Sequence, residues 1–200
     1  MKGYTKPLLI IFLVLLADQV LKTWIKTNMF LGQEFKIIGN WFIIHFTENN
    51  GMAFGLEFGG EFGKLALSLF RIAAVGGIGY GLHYLIKHKY HRGLILNVAL
   101  IFAGALGNII DSVLYGVIYG YAGLFHGRVV DMFYFPILQG NFPAWLPVWG
   151  GEDFIFFRPV FNIADAAISV GVVIILLFQK TYFKEEVKEE IGPNNEIVED

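Results

Sequence analysis

Charged side chains inside apolar runs are the first place in this sequence where chemistry could occur. Asp18 and Lys22 lie in the run from Leu8 to about Lys26, Arg71 in the run from Leu65 to Ile86, and Asp111 late in the run from Leu94 to about Val117. Asp165 lies five residues after Val160, at the start of a fourth run that ends at Phe178. A charge in hydrocarbon costs ~3 kcal/mol or more, so each of these is a functional candidate by default. All five fall towards one end of the bundle that the runs would form. Another acid, Asp131, ends the β-like run Gly127-Arg128-Val129-Val130. Two carboxyls a few ångströms apart cannot both ionise cheaply, so they share a proton; one can then act as a base and the other as an acid. Such a pair can hydrolyse a peptide bond without metal, thiol or serine. Spacing alone leaves open which of Asp111, Asp131 and Asp165 would pair. Blander roles compete: Asp18–Lys22 as a structural ion pair one helical turn apart, Arg71 snorkelling to headgroups, Asn108 and Asn162 as interhelical hydrogen-bond glue.

Other chemistries find little support in the residue types. The five histidines form no H-E-x-x-H, and Ser112 and Ser169 have neither a G-x-S-x-G setting nor a neighbouring histidine. With no cysteine there is no thiolate ligand or thiol nucleophile. No metal and no cofactor is therefore expected. The 200 residues are 56% hydrophobic and 16% charged, with mean hydropathy +0.58; an ordinary domain is nearer ~25% charged. Disorder is excluded for most of the length. A net charge of −2 argues against nucleic acid as a partner. Residues 184–200 hold seven acids and two lysines, so residues 1–183 carry +3.

These residues need elements to hold them. A helix crosses a bilayer with ~20 apolar residues, and the four runs predict spans over about 8–26, 65–86, 94–117 and 160–178. The first run lacks an A-x-A cleavage site and continues through Asp18, Lys22 and Trp24, so it reads as a retained helix. Lys2, Lys6 and the hinge Lys87-His88-Lys89-Tyr90-His91-Arg92 place the N-terminus and that hinge in the cytoplasm, and four spans return the C-terminus there. The active end would then face outward. Residues 35–58 alternate short β-prone runs with Gly39-Asn40 and Asn50-Gly51 turns, predicting an extracytoplasmic β region. Residues 132–159 hold nine aromatics and four prolines, and about 119–159 reads as an interfacial lid. The fold class expected is an α-helical polytopic membrane protein: four transmembrane helices, a small β-sheet and an interfacial aromatic-rich segment in one domain over 1–200, with a flexible acidic tail over 184–200. A proton-coupled transporter is the rival reading; it predicts acids spread through the bilayer depth and a repeated helix pair.

The pattern resembles type II signal peptidase, the lipoprotein signal peptidase of bacterial inner membranes. The matching pieces run in order along nearly the whole chain: Asp18-Gln19-x-x-Lys22, Asn49-Asn50-Gly51-Met52-Ala53-Phe54, Gly104-Ala105-Leu106-Gly107-Asn108-Ile109-Ile110-Asp111, Gly127-Arg128-Val129-Val130-Asp131 and Phe161-Asn162-Ile163-Ala164-Asp165. The resemblance implies an aspartyl endopeptidase that cleaves diacylglyceryl-modified prolipoproteins before the lipidated cysteine, with Asp131 and Asp165 as its dyad. It implies support or substrate contact for Asn49, Gly51, Asn108, Asp111, Asn162, Ala164, Asp18 and Lys22. Partners would be lipid-modified prolipoproteins and membrane lipids, with the enzyme a monomer. One departure matters. The family places Arg after the acid that matches Asp111, where this chain has Ser112; Arg71 or Arg128 is expected to take over. Met52 stands where alanine is usual.

Overall fold

A computed structural model describes residues 3–50, 60–136, 138–145, 147–148, 151–156 and 159–183. Gly51 and Met52, and the acidic tail 184–200, lie outside the described residues.

Helix α1 runs Thr5–Asn28 and admits Pro7 because its first turn needs no donor there. It ends at Met29 in extended conformation, and Gly32, at φ +84°, turns the chain into strand β1, Glu34–Ile38. Gly39, at φ +52°, opens the turn into β2, Phe42–Asn49. Helix α2, Gly60–Lys87, returns through the bundle to the lysine–histidine hinge. There the His91 side chain accepts the Gly93 N–H and caps α3, Arg92–Ile110. Among the described residues, three helical stretches, Thr5–Asn28, Phe62–Lys87 and Arg92–Ile118, are long and apolar enough to cross a membrane. Their outward faces carry exposed Leu8, Phe12, Leu13, Leu69 and Phe70, as lipid contact demands.

The third stretch is not one regular helix. Asp111–Tyr115 winds as a π-helix before the short α4, Gly116–Ile118. The chain then folds back on itself. Tyr121 and Ala122 donate to the Gly116 carbonyl, Phe125 to Val113 and Gly127 to Ser112 at 2.9 Å. This return delivers β3, Val129–Tyr134, beside the end of α3. Close approach decides two residue types here. A Cβ on Gly127 would lie 2.0 Å from the Asp111 carbonyl oxygen, and one on Gly104 would lie 2.3 Å from that of Ala164.

The chain completes its elements with β4 (Leu138–Asn141), β5 (Asp153–Phe156), β6 (Val160–Phe161), α5 (Ile163–Leu177) and the short α6 (Gln179–Tyr182). The main sheet has the order β1-β2-β3-β6, all antiparallel. Within it the two residues of β6 pair with Tyr134 and Phe133. Two expectations are thus redrawn. The fourth apolar run does not begin as helix, because β3 captures Val160–Phe161 and Asn162 then caps α5. At 15 residues α5 rises ~22 Å. Residues 119–159 are not one surface segment either: β3 is central to the sheet, and β4 with β5 makes a separate hairpin. Beneath the sheet, Ile25, Met29, Phe46, Tyr115, Val130 and Met132 form a buried cluster joining α1, the π-helix, β2 and β3.

The glycine contacts predict opposite outcomes within one bundle. Gly104→Ala forces backbone against backbone between α3 and α5 and should lower the melting temperature in detergent by several degrees. Gly77→Ala, with nothing within 4 Å, should leave it unchanged or raised. Equal melting temperatures for the two variants would refute this packing.

Candidate active site

At the sheet end of the bundle lies a connected set of buried polar side chains. Its centre is the Lys22 ammonium, which is 0% exposed and stands 2.9 Å from each of three acceptors: Asp18 Oδ2, Asp111 Oδ2 and Asn108 Oδ1. An ammonium has three donors and no acceptor, so three oxygens satisfy it completely. They come from α1 itself and from the end of α3. Gln19 closes the ring, donating to Asp18 Oδ2 at 3.1 Å and Asp111 Oδ1 at 3.0 Å while accepting from the Tyr115 hydroxyl. Gly107 leaves the room, since a Cβ there would lie 2.8 Å from Asp18 Oδ2.

The lysine also fixes how Asn108 points. Because Lys22 can only donate, it holds Asn108 Oδ1, and the amide nitrogen is turned to Asp165 Oδ1 at 2.8 Å. A second amide is fixed by a helix start. Asn162 caps α5: its Oδ1 accepts the Asp165 N–H at 2.9 Å while Asp165 Oδ2 accepts the Asn162 N–H at 3.2 Å. With the oxygen committed, Asn162 Nδ2 faces β3 and donates to Asp131 Oδ1 at 2.6 Å, with Val130 O at 3.2 Å and Asn108 Oδ1 at 3.3 Å. Asn49, at the end of β2, donates to the other oxygen, Asp131 Oδ2. One buried asparagine therefore touches both Asp131 and Asp165.

The four acids divide by these partners. Asp18 and Asp111 share Lys22, and each also takes a backbone N–H, from Ala164 at 3.0 Å and from Val130 at 3.3 Å respectively. Those bonds tie α1 to α5 and the π-helix to β3. Asp131 and Asp165 are joined to each other instead, through Asn162. Asp131, 2% exposed and on β3, is pushed up to about 7, first by burial and then by the neighbouring Asp165 charge. The hydrogen bonds from Asn162 and Asn49 and the charge of Lys22 work the other way.

Of the expected residues, Asp131, Asp165, Asn49, Asn108, Asn162, Asp111, Asp18, Lys22 and Ala164 come together. Arg71 joins them from α2, its Nη1 3.5 Å from the Ser112 hydroxyl, which itself donates to the Asn108 carbonyl. Arg128 does not. Half exposed, it faces Glu48 and the Tyr121 ring. Ala164 is wholly buried with its carbonyl beside Gly104, so its smallness serves the α3–α5 contact. Gln19 and Tyr115 are site residues that residue type and spacing did not single out. The signal for Gln19 was available, since a polar amide inside an apolar run is costly for the same reason as Asp18. Among the described residues no three His, Asp or Glu side chains gather so as to hold a metal ion.

Known proteins match this chain consistently. The family model for Signal peptidase (SPase) II matches residues 10–181. The lipoprotein signal peptidase of Porphyromonas gingivalis is 51% identical over 184 residues, covering 84% of this chain and 80% of the relative. That of Amoebophilus asiaticus is 38% identical over 188 residues, covering 90% and 79%. A solved bacterial membrane enzyme superposes with TM-score 0.62 at 30% identity, covering 90% of this chain and 92% of that one. A match along most of the length, with the polar knot of four acids inside the matched region, leads to one conclusion: the chain belongs to the signal peptidase II family.

Proposed function

We propose that this protein is an aspartyl endopeptidase of the bacterial inner membrane that removes signal peptides from diacylglyceryl-modified prolipoproteins, cutting before the lipidated cysteine. The observation that carries the reading is Asn162, whose amide contacts Asp131 Oδ1 and whose cap bonds hold Asp165. In this reading four helices cross the membrane, α5 with α6 completing the fourth. Both termini are cytoplasmic, the sheet end faces outward, and one copy of the chain suffices. The signal helix enters sideways from lipid, its acyl chains staying between the spans, while the sheet and the 119–159 region hold the strand around the scissile bond. A transporter would need acids spread through the bundle, and these gather at the sheet end.

The pair works by one shared proton. Burial and the neighbouring Asp165 charge keep a proton on the pair into the neutral range, and the pair titrates as a unit. With that proton on Asp131, Asp165 is the base. A water held between them loses a proton to Asp165 as its oxygen bonds to the peptide carbon. Asp131 gives its proton to the carbonyl oxygen, leaving a gem-diol. Asp165 then passes its proton to the departing nitrogen, the C–N bond breaks, and Asp131 recovers a proton from one hydroxyl. Arg71 supports the pair from α2, its charge acting on Asp165 and on Asp131, and stands in for the arginine absent at Ser112.

Asp131→Asn and Asp165→Asn should each lower cleavage of a lipidated prolipoprotein in detergent by at least ~10²-fold while melting like the parent protein. Full activity in either would refute the dyad. The pH profile should have a descending limb near 7, since above that value Asp131 is ionised and no acid remains; a rate that stays flat from acidic to alkaline pH would overturn the proton assignment. Arg71→Ala should be impaired and regain activity when Ser112→Arg is added. An unimpaired Arg71→Ala would remove Arg71 from the site.

A further inference from the structure

The last turn of α1 carries a second lysine, one turn beyond Lys22, that the chemistry above does not use. Lys26 pairs with Glu48, and Arg128 Nη1 approaches the other carboxylate oxygen at 3.7 Å. Glu48 is 9% exposed, so its charge is held between two cations from separate elements. The cations are in turn packed on aromatic faces. Lys26 Nζ lies 4.5 Å from the Tyr121 ring centroid and 5.1 Å from that of Tyr119, Arg128 Cζ lies 5.9 Å from the Tyr121 centroid, and the Tyr121 hydroxyl accepts the Arg128 backbone N–H at 2.7 Å.

The position of Glu48 gives this clamp its consequence. Strand β1 pairs with β2 only as far as His45, and the β2–β3 register slips between Ile44 and Thr47. Past Phe46, among the described residues, β2 is held in the sheet by β3 alone. Glu48 and Asn49 point to opposite faces of that strand end. Fixing Glu48 from one face sets where Asn49 projects from the other, and there it meets Asp131 Oδ2.

We propose that Glu48, gripped by Lys26 and Arg128, is a positioning residue that aims the Asn49 amide at Asp131. The proposal rests on the reading of Asp131 as one of the reacting acids. A loss of the clamp would therefore act through Asn49, and the pH profile distinguishes that from every simpler effect. Among the described residues, the charges acting on Asp131 are Asp165 from α5, Lys22 from α1 and Arg71 from α2. Losing the Asn49 hydrogen bond, which favours the ionised carboxyl, moves the descending limb to higher pH. Deleting the Glu48 charge alone would leave Lys26 and Arg128 unbalanced and move it to lower pH. The two mechanisms have opposite signs.

The test is a double-mutant cycle with Asn49→Ala and Glu48→Ala in the full chain, reading rate against pH on a lipidated prolipoprotein. Asn49→Ala should shift the limb upward by about one pH unit and lower kcat by ~10-fold; Glu48→Ala should shift it upward by less, since its lost charge pulls the other way, and the double should rise no further than Asn49→Ala. Glu48→Gln serves if Glu48→Ala does not fold; it should shift the limb the same way by less. A limb that stays in place, moves down, or shifts additively in the double overturns the proposal. Should Asp131→Asn retain activity, the dyad reading itself falls, whereas inactive Asp131→Asn with an unmoved Glu48 limb rejects the clamp alone.

Discussion

A lysine with no water to turn to constrains the rest of this structure. In the apolar interior the Lys22 ammonium cannot be left with a bare donor, and three oxygens must reach it together. Two belong to α3 and its π-helical continuation, so α1 and α3 are locked in one rotation about their axes. Gly107 permits that closeness, as Gly104 does between α3 and α5. The same demand passes outward. Asn108, with its oxygen committed to Lys22, has only its amide nitrogen to offer Asp165. A charge requirement on α1 thus becomes an orientation requirement on an acid two helices away.

The second organising event is the join between sheet and helix at Asn162. Backbone pairing of Val160–Phe161 with β3 brings the start of α5 against Asp131, and a helix start needs a cap. Asparagine meets both needs, since its oxygen caps the helix and its nitrogen is left for the strand. A serine or aspartate would cap as well but could not offer the second, firmly directed donor. The π-helix at Asp111–Tyr115 has a matching role on the other side. It shifts the helix end so that Asp111 meets both Lys22 and the Val130 N–H, which places β3. Among the described residues no buried side-chain nitrogen or oxygen lacks a partner, as a polar knot in an apolar bundle requires.

Much of the site was legible because lipid makes polarity costly. Asp18, Lys22, Asn108, Asp111 and Asp165 stand out against apolar neighbours, and their common level could be read from spacing alone. Arg71 was visible in the same way, whereas its meeting with Ser112 depended on how α2 and α3 pack. Arg128 was a reasonable rival for that place by charge, and only the fold turned it to Glu48. Gln19 carries the same signal as Asn108, a polar amide among apolar neighbours, but only the fold shows that it closes the ring around Lys22. The break at Val160–Phe161 could not be seen from hydropathy, because a β-paired dipeptide and the first turn of an apolar helix have the same composition.

Residue order alone was enough to establish several apolar helices, interior charges gathered at one level, and the family that the chain resembles. These follow from local properties: apolar length, residue type and spacing. Packing in three dimensions settled which acids share a lysine and which share an asparagine, and which way each amide points. It also put a strand from the supposed lid in the middle of the sheet. Those outcomes depend on which distant backbone and side-chain groups arrive together, because hydrogen-bond direction is a property of the pair and not of either residue.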